Sequence, residues 1–485
     1  MIRKFRTLTY SFVLAAGLFA LSGSALYVYS TQSTLPSHVT VGEWQVGGMT
    51  YAAFKSELNQ RVSKLSAAPV LLLSSQPVIP NKQLTLGELG VHYSADSIAQ
   101  ALSPLVEGSP LTRLKARFAL RGMQLPLEAS VSAEQLNAKV QAAWKELYAQ
   151  KPVSAKRVLK AQDQIDYTPE ISVLRVNTKE LAEELQAIAS LLNGSPPAEP
   201  IQLSLPLYEL RPSVTVASLK QQGIDGKIAE FTTSFPPSGE GRIHNIRATA
   251  ATIQDYVMAP GETFDYSKVI AETEAKVGYK EAPVILNGTL VPGIGGGICQ
   301  VSTTLYNAAL RSGLQIVERR NHSLPVSYVP LGQDATFANG YINFKFRNNT
   351  GSYLWIRTET TDKAVTVKLF GHLTPGITYD IDSKIVETIQ PSVNYVNNPS
   401  LNPGAERPIS PGKAGYKVET YRIKRENGTV VSRELISKDT YSPVPAVVAA
   451  NRGDAKPDPR TPAAPKQPVI EDGVMSYVTP EDLGL

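Results

Sequence analysis

The chain has 485 residues, 42% of them hydrophobic and 19% charged, with a formal net charge of +5. That length is enough for three or more folded domains. The mild positive balance contains no dense Lys/Arg block, which excludes a nucleic-acid binder but suits an anionic surface such as a cell wall.

At the N-terminus, Arg3, Lys4 and Arg6 precede an uncharged, largely apolar run from Leu8 to Tyr29, about the ~20 residues that span a bilayer. Positive charge ahead of the span keeps the N-terminus cytoplasmic and sends the rest outside. Residues 1–31 are therefore expected to form a membrane anchor, with small residues from Ser22 to Ala25 offering a cleavage site as the alternative. Outside the membrane a single cysteine has no internal disulfide partner.

From residue 37 to residue 223 a cadence of strand, Ser/Thr cap and amphipathic helix recurs without a strict period. A helix is predicted from about Thr50, with Phe54, Leu58, Val62 and Leu65 on one face. These small α+β modules carry His92 but no polar cluster that reads as chemistry. The character changes at Ile224, where a helix is predicted near Ile243–Tyr256, before the Pro260-Gly261 turn. After the cysteine region, "INFKFRNNTGSYLWIRTETTDKAVTVKLFG" reads as three strands of one meander. Residues 379–450 are nearly all strand and turn, and Asn427-Gly428 in "RENGT" is a strong two-residue hairpin signal. The Pro-rich polar stretch over residues 451–485 is expected to be disordered. The fold class is thus α+β multidomain, with an all-β C-terminal domain.

The chemistry concentrates in "GIGGGICQVSTTLYNAALRSG", Gly293 to Gly313, which holds Cys299, the only cysteine. Gly295, Gly296 and Gly297 can point successive N–H groups into one concavity. The segment Val301–Leu310 reads as a helix with one buried face and Gly313 as its stop. Cys299 at the helix N-terminus would have its pKa lowered, into the range of about 3.5–7.5 seen for cysteines so placed. Substrate and oxyanion contacts fall to Gly295, Gly296, Gly297, Ile298, Gln300, Ser302 and Thr303. A small buried hydrophobe is the bland alternative for Cys299, and an intermolecular disulfide is another. Phosphate binding lacks the Gly-Lys-Ser/Thr ending that it needs. Of the five histidines, His322 follows the cysteine helix by one connection and is the candidate base, with His244 in reserve. Asp334 on the next loop is the candidate orienting group. No His, Cys and acidic spacing matches a metal-ligand pattern, and no cofactor is expected.

The segments "APGETFDYSKVI", "GGGICQVSTTLYNAAL", "VERRNHSLPVSYVP", "GQDAT" and "FKFRNNT" closely resemble the VanW family, which places a VanW-like domain at residues 224–372. The modules before it are similar to peptidoglycan-binding repeats that precede such domains, and the glycine-punctuated strands after it resemble the G5 domain, whose ligands are wall sugars. Arg320 stands where relatives carry a second histidine. The resemblance implies L,D-transpeptidation of peptidoglycan, with Cys299 as nucleophile and His322 as base. The expected partners are stem peptides, glycan and, through the anchor, the membrane. A non-catalytic wall-binding scaffold and a cysteine peptidase acting on stem peptides remain the alternatives.

Overall fold

The computed structural model describes residues 23–235, 238–286, 289–451 and 470–474. Most of the expected anchor and most of the Pro-rich tail lie outside them. Residues 23–31 are helical, and among the described residues no helix is long and apolar enough to cross a membrane. The chain is a mixed α and β multidomain protein whose C-terminal region is all strand.

It divides into two compact units. One comprises the chain up to Ser154 together with Glu170–Ser213, and the other comprises Ala155–Pro169 with everything from Val214. In the first unit the Tyr51–Ser66 helix starts where its cap predicts, Thr50 accepting the Ala53 N–H, and buries Phe54, Leu58 and Leu65. The unit has two hydrophobic cores, one around Val41, Phe54, Ile98 and Leu125 and the other around Leu72, Leu136, Leu181 and Leu185. The α+β modules therefore end earlier than expected and lose a hairpin. Strands Lys156–Leu159 and Ile165–Thr168 belong to the second unit, where Leu159 and Ile165 pack beside Ile224, Trp355 and Phe370.

The second unit is built around one helix, Ile298–Arg311. An antiparallel sheet in the order Gly226–Ser234, Ala364–Gly371, Leu354–Thr360, Tyr256–Met258 supplies one wall. The Glu240–Ile253 helix supplies another, beginning three residues before the expected start. The expected three-stranded meander is corrected. Leu354–Thr360 and Ala364–Gly371 do form a hairpin, but Lys345–Arg347 pairs instead with Thr263–Asp265 and Gln315–Glu318 in a separate sheet. Between them Asn348 spends its side-chain amide on the carbonyls of Ala259 and Ser352, which turns the chain out of the first sheet's plane. A third sheet orders Thr289–Ile294, Glu281–Leu286 and Ile470–Glu471, so Ile470–Val474 is ordered and docked where disorder was expected.

C-terminal to these, long strands Ile377–Ile389, Gly415–Glu426 and Thr429–Tyr441 form one sheet. Val393–Asn397, Ala446–Ala450 and Glu406–Ser410 form another. The hairpin at Asn427-Gly428 is as read: both residues take positive φ, 49° and 83°, and Glu426 faces Thr429. Ile381 and Ile436 of the long sheet pack against the core that surrounds the cysteine helix.

Candidate active site

Every residue from Ile298 to Leu310 is buried, so the expectation of a helix with one buried face is corrected: the helix is a central pillar. A pillar of this kind should be apolar, yet it carries Gln300, Ser302, Thr303, Thr304 and Asn307. Their partners explain them. Gln300 donates to Thr233 Oγ1 and the Ser234 carbonyl, and Thr304 shares a hydrogen bond with Thr233, fastening the helix to the first sheet. On another face an extended segment, Gln333–Phe337, runs along the helix without a strand partner. Asn307 donates to the Gln333 carbonyl (2.7 Å), Ser302 to the Ala335 carbonyl (2.6 Å), and Thr303 accepts the Ala335 N–H (3.0 Å). Phe337 N–H lies 3.0 Å from Cys299 Sγ, and the thiol donates to the Phe337 carbonyl at 3.4 Å.

The spacing is geometric. Helix positions 299, 303 and 307 advance about 6 Å per step, and alternate residues of an extended chain advance about 6.6 Å, so the two ladders stay in step for three rungs. On the side facing the helix, the Gln333 carbonyl, both Ala335 backbone groups and the Phe337 N–H are satisfied by helix side chains in place of a neighbouring strand, while the Thr336 N–H goes to the Arg320 carbonyl. Ser302 and Thr303 are thereby corrected from substrate contacts to structural ones. Ile298 and Gln300 are corrected too, because their N–H groups close turns onto Gly295 and Gly297 carbonyls. Gly295 N–H donates to the Lys280 carbonyl, and Gly296 offers its carbonyl to Asn245.

Two amides of the expected nest do converge. Gly297 N–H (2.9 Å) and Cys299 N–H (2.6 Å) donate to the two carboxylate oxygens of Asp472, and Arg242 Nη1 lies 3.3 Å from the same group. Gly297 has φ 106°, and a Cβ there would press on Arg242 and Ile246, so glycine alone presents this N–H without strain. Arg242 is itself held by Gln300 Oε1 at 2.9 Å.

Alternate residues of the extended segment face the other way. Asp334 accepts both the backbone N–H and the Nδ1–H of His322, each at 2.7 Å. It also accepts the Tyr441 hydroxyl at 2.5 Å and pairs with Arg319 at 3.2 Å, while Arg319 reaches Asp439 at 2.5 Å. His322 and Asp334 are almost wholly buried, at 1% and 0% exposure. Burial alone would push the imidazole's pKa down, but the hydrogen bond and charge of Asp334 outweigh it and raise the value, with Glu471 and Asp472 adding to the rise. Burial likewise opposes ionisation of Asp334, yet His322 and Arg319 bring it down to about 2.

Cys299 departs from expectation. It is fully buried, and burial, then the Asp472 charge, push its thiol well above the ordinary range. The helix amides that should favour a thiolate are occupied by another anion. Tyr266 and Tyr328 are both raised well above the ordinary phenol range, by burial first and with the Asp472 charge adding to the rise. The structure thus brings Cys299, His322 and Asp334 around one segment. His244 instead sits against the Gly278 carbonyl, and His92 and His372 bond Gln135 and Asp225. Arg320 is exposed. Sequence reasoning missed Arg242, Arg319, Asp439, Tyr441, Glu471 and Asp472. In "VIEDGV" two apolar residues precede two acidic ones, so no alternation marks a strand there. Among the described residues no three His, Cys or acidic side chains group as metal ligands.

A VanW-like protein family model matches residues 241–370 and a G5 domain model matches residues 381–451. The uncharacterized protein YoaR of Bacillus subtilis (strain 168) is 37% identical over 171 residues, 35% of this chain and 56% of that protein. The vancomycin B-type resistance protein VanW of Enterococcus faecalis (strain ATCC 700802 / V583) is 28% identical over 158 residues, 32% of this chain and 58% of that protein. The chain therefore spans little more than half the length of these relatives. Among solved structures, an IgA1 protease G5 domain aligns at 32% identity over 17% of this chain and 98% of its own length, with a TM-score of 0.14. The HP0197 G5 domain aligns at 22% identity over 15% and 96%, with a TM-score of 0.12. The family models thus find a VanW-like domain over residues 241–370 and a G5 domain over residues 381–451, with the similarity to YoaR and VanW supporting a VanW-type region followed by a C-terminal G5 region.

Proposed function

We propose that the protein is a cell-wall remodelling enzyme, a cysteine acyl transferase of the L,D-transpeptidase type, tethered to the membrane by residues 1–31 and facing the wall. The observation that carries this reading is the Gln333–Phe337 segment, which touches the Cys299 sulfur at one end and locks His322 through Asp334 at the other. Asp334 engages Nδ1, so Nε2 is the ring atom left for proton transfer.

In the reaction, neutral His322 takes the Cys299 proton and the thiolate attacks the carbonyl of the third stem-peptide residue. The tetrahedral oxyanion is held by the Gly297 and Cys299 amides and Arg242. Collapse breaks the peptide bond, and the departing D-alanine amine takes the proton from His322. An amine of a neighbouring stem then attacks the thioester, His322 accepts its proton, and the thiol is restored. Water as acceptor would make the same site a peptidase. The G5 region and the N-terminal modules are read as wall-docking elements, and stem peptides and glycan as the partners. A scaffold reading also has its observation, since a buried thiol clasped by Phe337 is in its resting form chemically quiet.

The test incubates the full chain with tetrapeptide-stem muropeptides and follows D-alanine release, a covalent adduct on Cys299 and cross-linked dimers by mass spectrometry. Dimers formed by the wild type and not by Cys299→Ala support the transferase, and trimmed monomers alone select the peptidase. If both proteins bind wall fragments and change none, the scaffold reading replaces catalysis.

A further inference from the structure

The geometry points to a peptide-carboxylate subsite beside Cys299, built to receive an extended peptide, and filled in this structure by the chain's own Ile470–Val474. Five residues are anchored by contacts of four kinds. Ile470 is buried with Val284 and Leu286, and Ile470 and Glu471 pair antiparallel with Leu286 and Ile285 at the free edge of that strand. The Glu471 carboxylate accepts the Ser323 N–H and hydroxyl. The Asp472 carboxylate takes the Gly297 and Cys299 amides and Arg242. Asp472 N–H donates to the Phe337 carbonyl and Val474 N–H to the Ile294 carbonyl, while Asn339 donates to the Val474 carbonyl.

Backbone pairing on a sheet edge, with side chains read in alternate pockets, is how proteins take up extended peptides. Here the same segment bonds Ile294 on one side and Phe337 on the other, and Phe337 is the residue that holds the Cys299 sulfur. A Cβ on Gly295 would strike Val474, so the glycine run also clears the floor on which the segment lies. A visiting peptide with a side-chain or terminal carboxylate fits the same contacts, and it can reach Cys299 only after Ile470–Val474 has left. Withdrawing Glu471 and Asp472 also removes two negative charges that add to the rise in the His322 and Cys299 values, behind Asp334 for the imidazole and burial for the thiol. Identifying the visitor as a stem peptide rests on the acyl-transfer reading, whereas the occupied subsite does not.

The test places a protease site within residues 452–469 of the full chain, cuts it after folding and removes the released fragment. Cys299 is then alkylated with iodoacetamide. Labelling should be at least about tenfold faster than in the uncut protein, because a closed population hides the thiol in proportion to its excess. A capped synthetic peptide of sequence Ile-Glu-Asp-Gly-Val should restore protection, and the same peptide with Asn for Asp should not. In the uncut chain, Asp472→Asn should raise the labelling rate in the same direction. Equal labelling of cut and uncut protein, with circular dichroism unchanged, would overturn the proposal, as would equal protection by the two peptides. Fast labelling after cutting with no muropeptide turnover would keep the subsite and remove the acyl-transfer reading.

Discussion

Asp334 carries the electrostatics of the site, and its loss should be felt more than that of any other single side chain. Asp334→Asn leaves the Arg319 guanidinium with Asp439 alone and His322 without the carboxylate bonded to its ring, and breaking a buried pair on one side costs about 3–5 kcal/mol. Against the opposing effect of burial, the hydrogen bond and charge of Asp334 raise the His322 value in the fold. The histidine's contribution to stability is therefore complete below the unfolded imidazole value of about 6.5 and is lost as pH rises through the higher folded value. Asp334 works in the opposite sense, complete above about 3.9 and lost as pH falls toward about 2. Thermal melts should therefore show the wild type losing stability as pH is raised from about 6.5, and the Asp334→Asn variant should be less stable throughout and lack that decline. His322 and Asp334 were legible in the sequence because both sit close after the cysteine helix. Tyr441, which donates to Asp334 from 107 positions further along the chain, has no local signal at all.

The cysteine helix and the extended segment beside it act as one element. Thr303→Val keeps the shape but removes the acceptor of the Ala335 N–H, and an orphaned buried donor costs about 1–3 kcal/mol. Urea unfolding should show that loss. If alkylation of Cys299 also quickens, the rung holding Phe337 has loosened as expected. Gly297→Ala forces a side chain into a left-handed backbone and against Arg242, with an expected cost of about 1–3 kcal/mol. It should also misalign the amide that meets Asp472, so Cys299 should again label faster than in the wild type. The helix was readable from its glycine boundaries, and Gly313 (φ 71°) closes it as expected. Ser302 and Thr303 were misread as ligand contacts because Ala335, their true partner, is more than thirty positions away, beyond the reach of any periodicity.

At the scale of the molecule, the VanW-like and G5 regions were expected as successive modules, but they share a core and a charge network. Arg319 needs Asp439, Gly332 donates to Tyr441, Arg422 bonds the Leu314 carbonyl, and Ile381 and Ile436 cover the helix core. A chain ending at Gly371 should therefore be destabilised, because Arg319 loses Asp439, Asp334 loses the Tyr441 hydroxyl and the helix core loses the cover of Ile381 and Ile436, visible as a lower denaturant midpoint or as failure to stay in solution. Composition marks residues 451–485 as a tail, and it carries no trace that five of them return to a site near Cys299, because that return depends on a strand edge almost two hundred residues earlier. The buried helix also has a consequence for the making of the protein. Ile298, Val301, Ser302, Thr303, Thr304, Tyr306 and Asn307 are middling helix formers, so this stretch gains its shape from the walls around it. Those walls include strands translated after it, and Ile470–Val474, which closes over the thiol, is translated long after Cys299 itself. During elongation Cys299 sits in an incomplete domain, and domains fold as units. The thiol is thus open to oxidation while the chain is being made and walled in once it is complete.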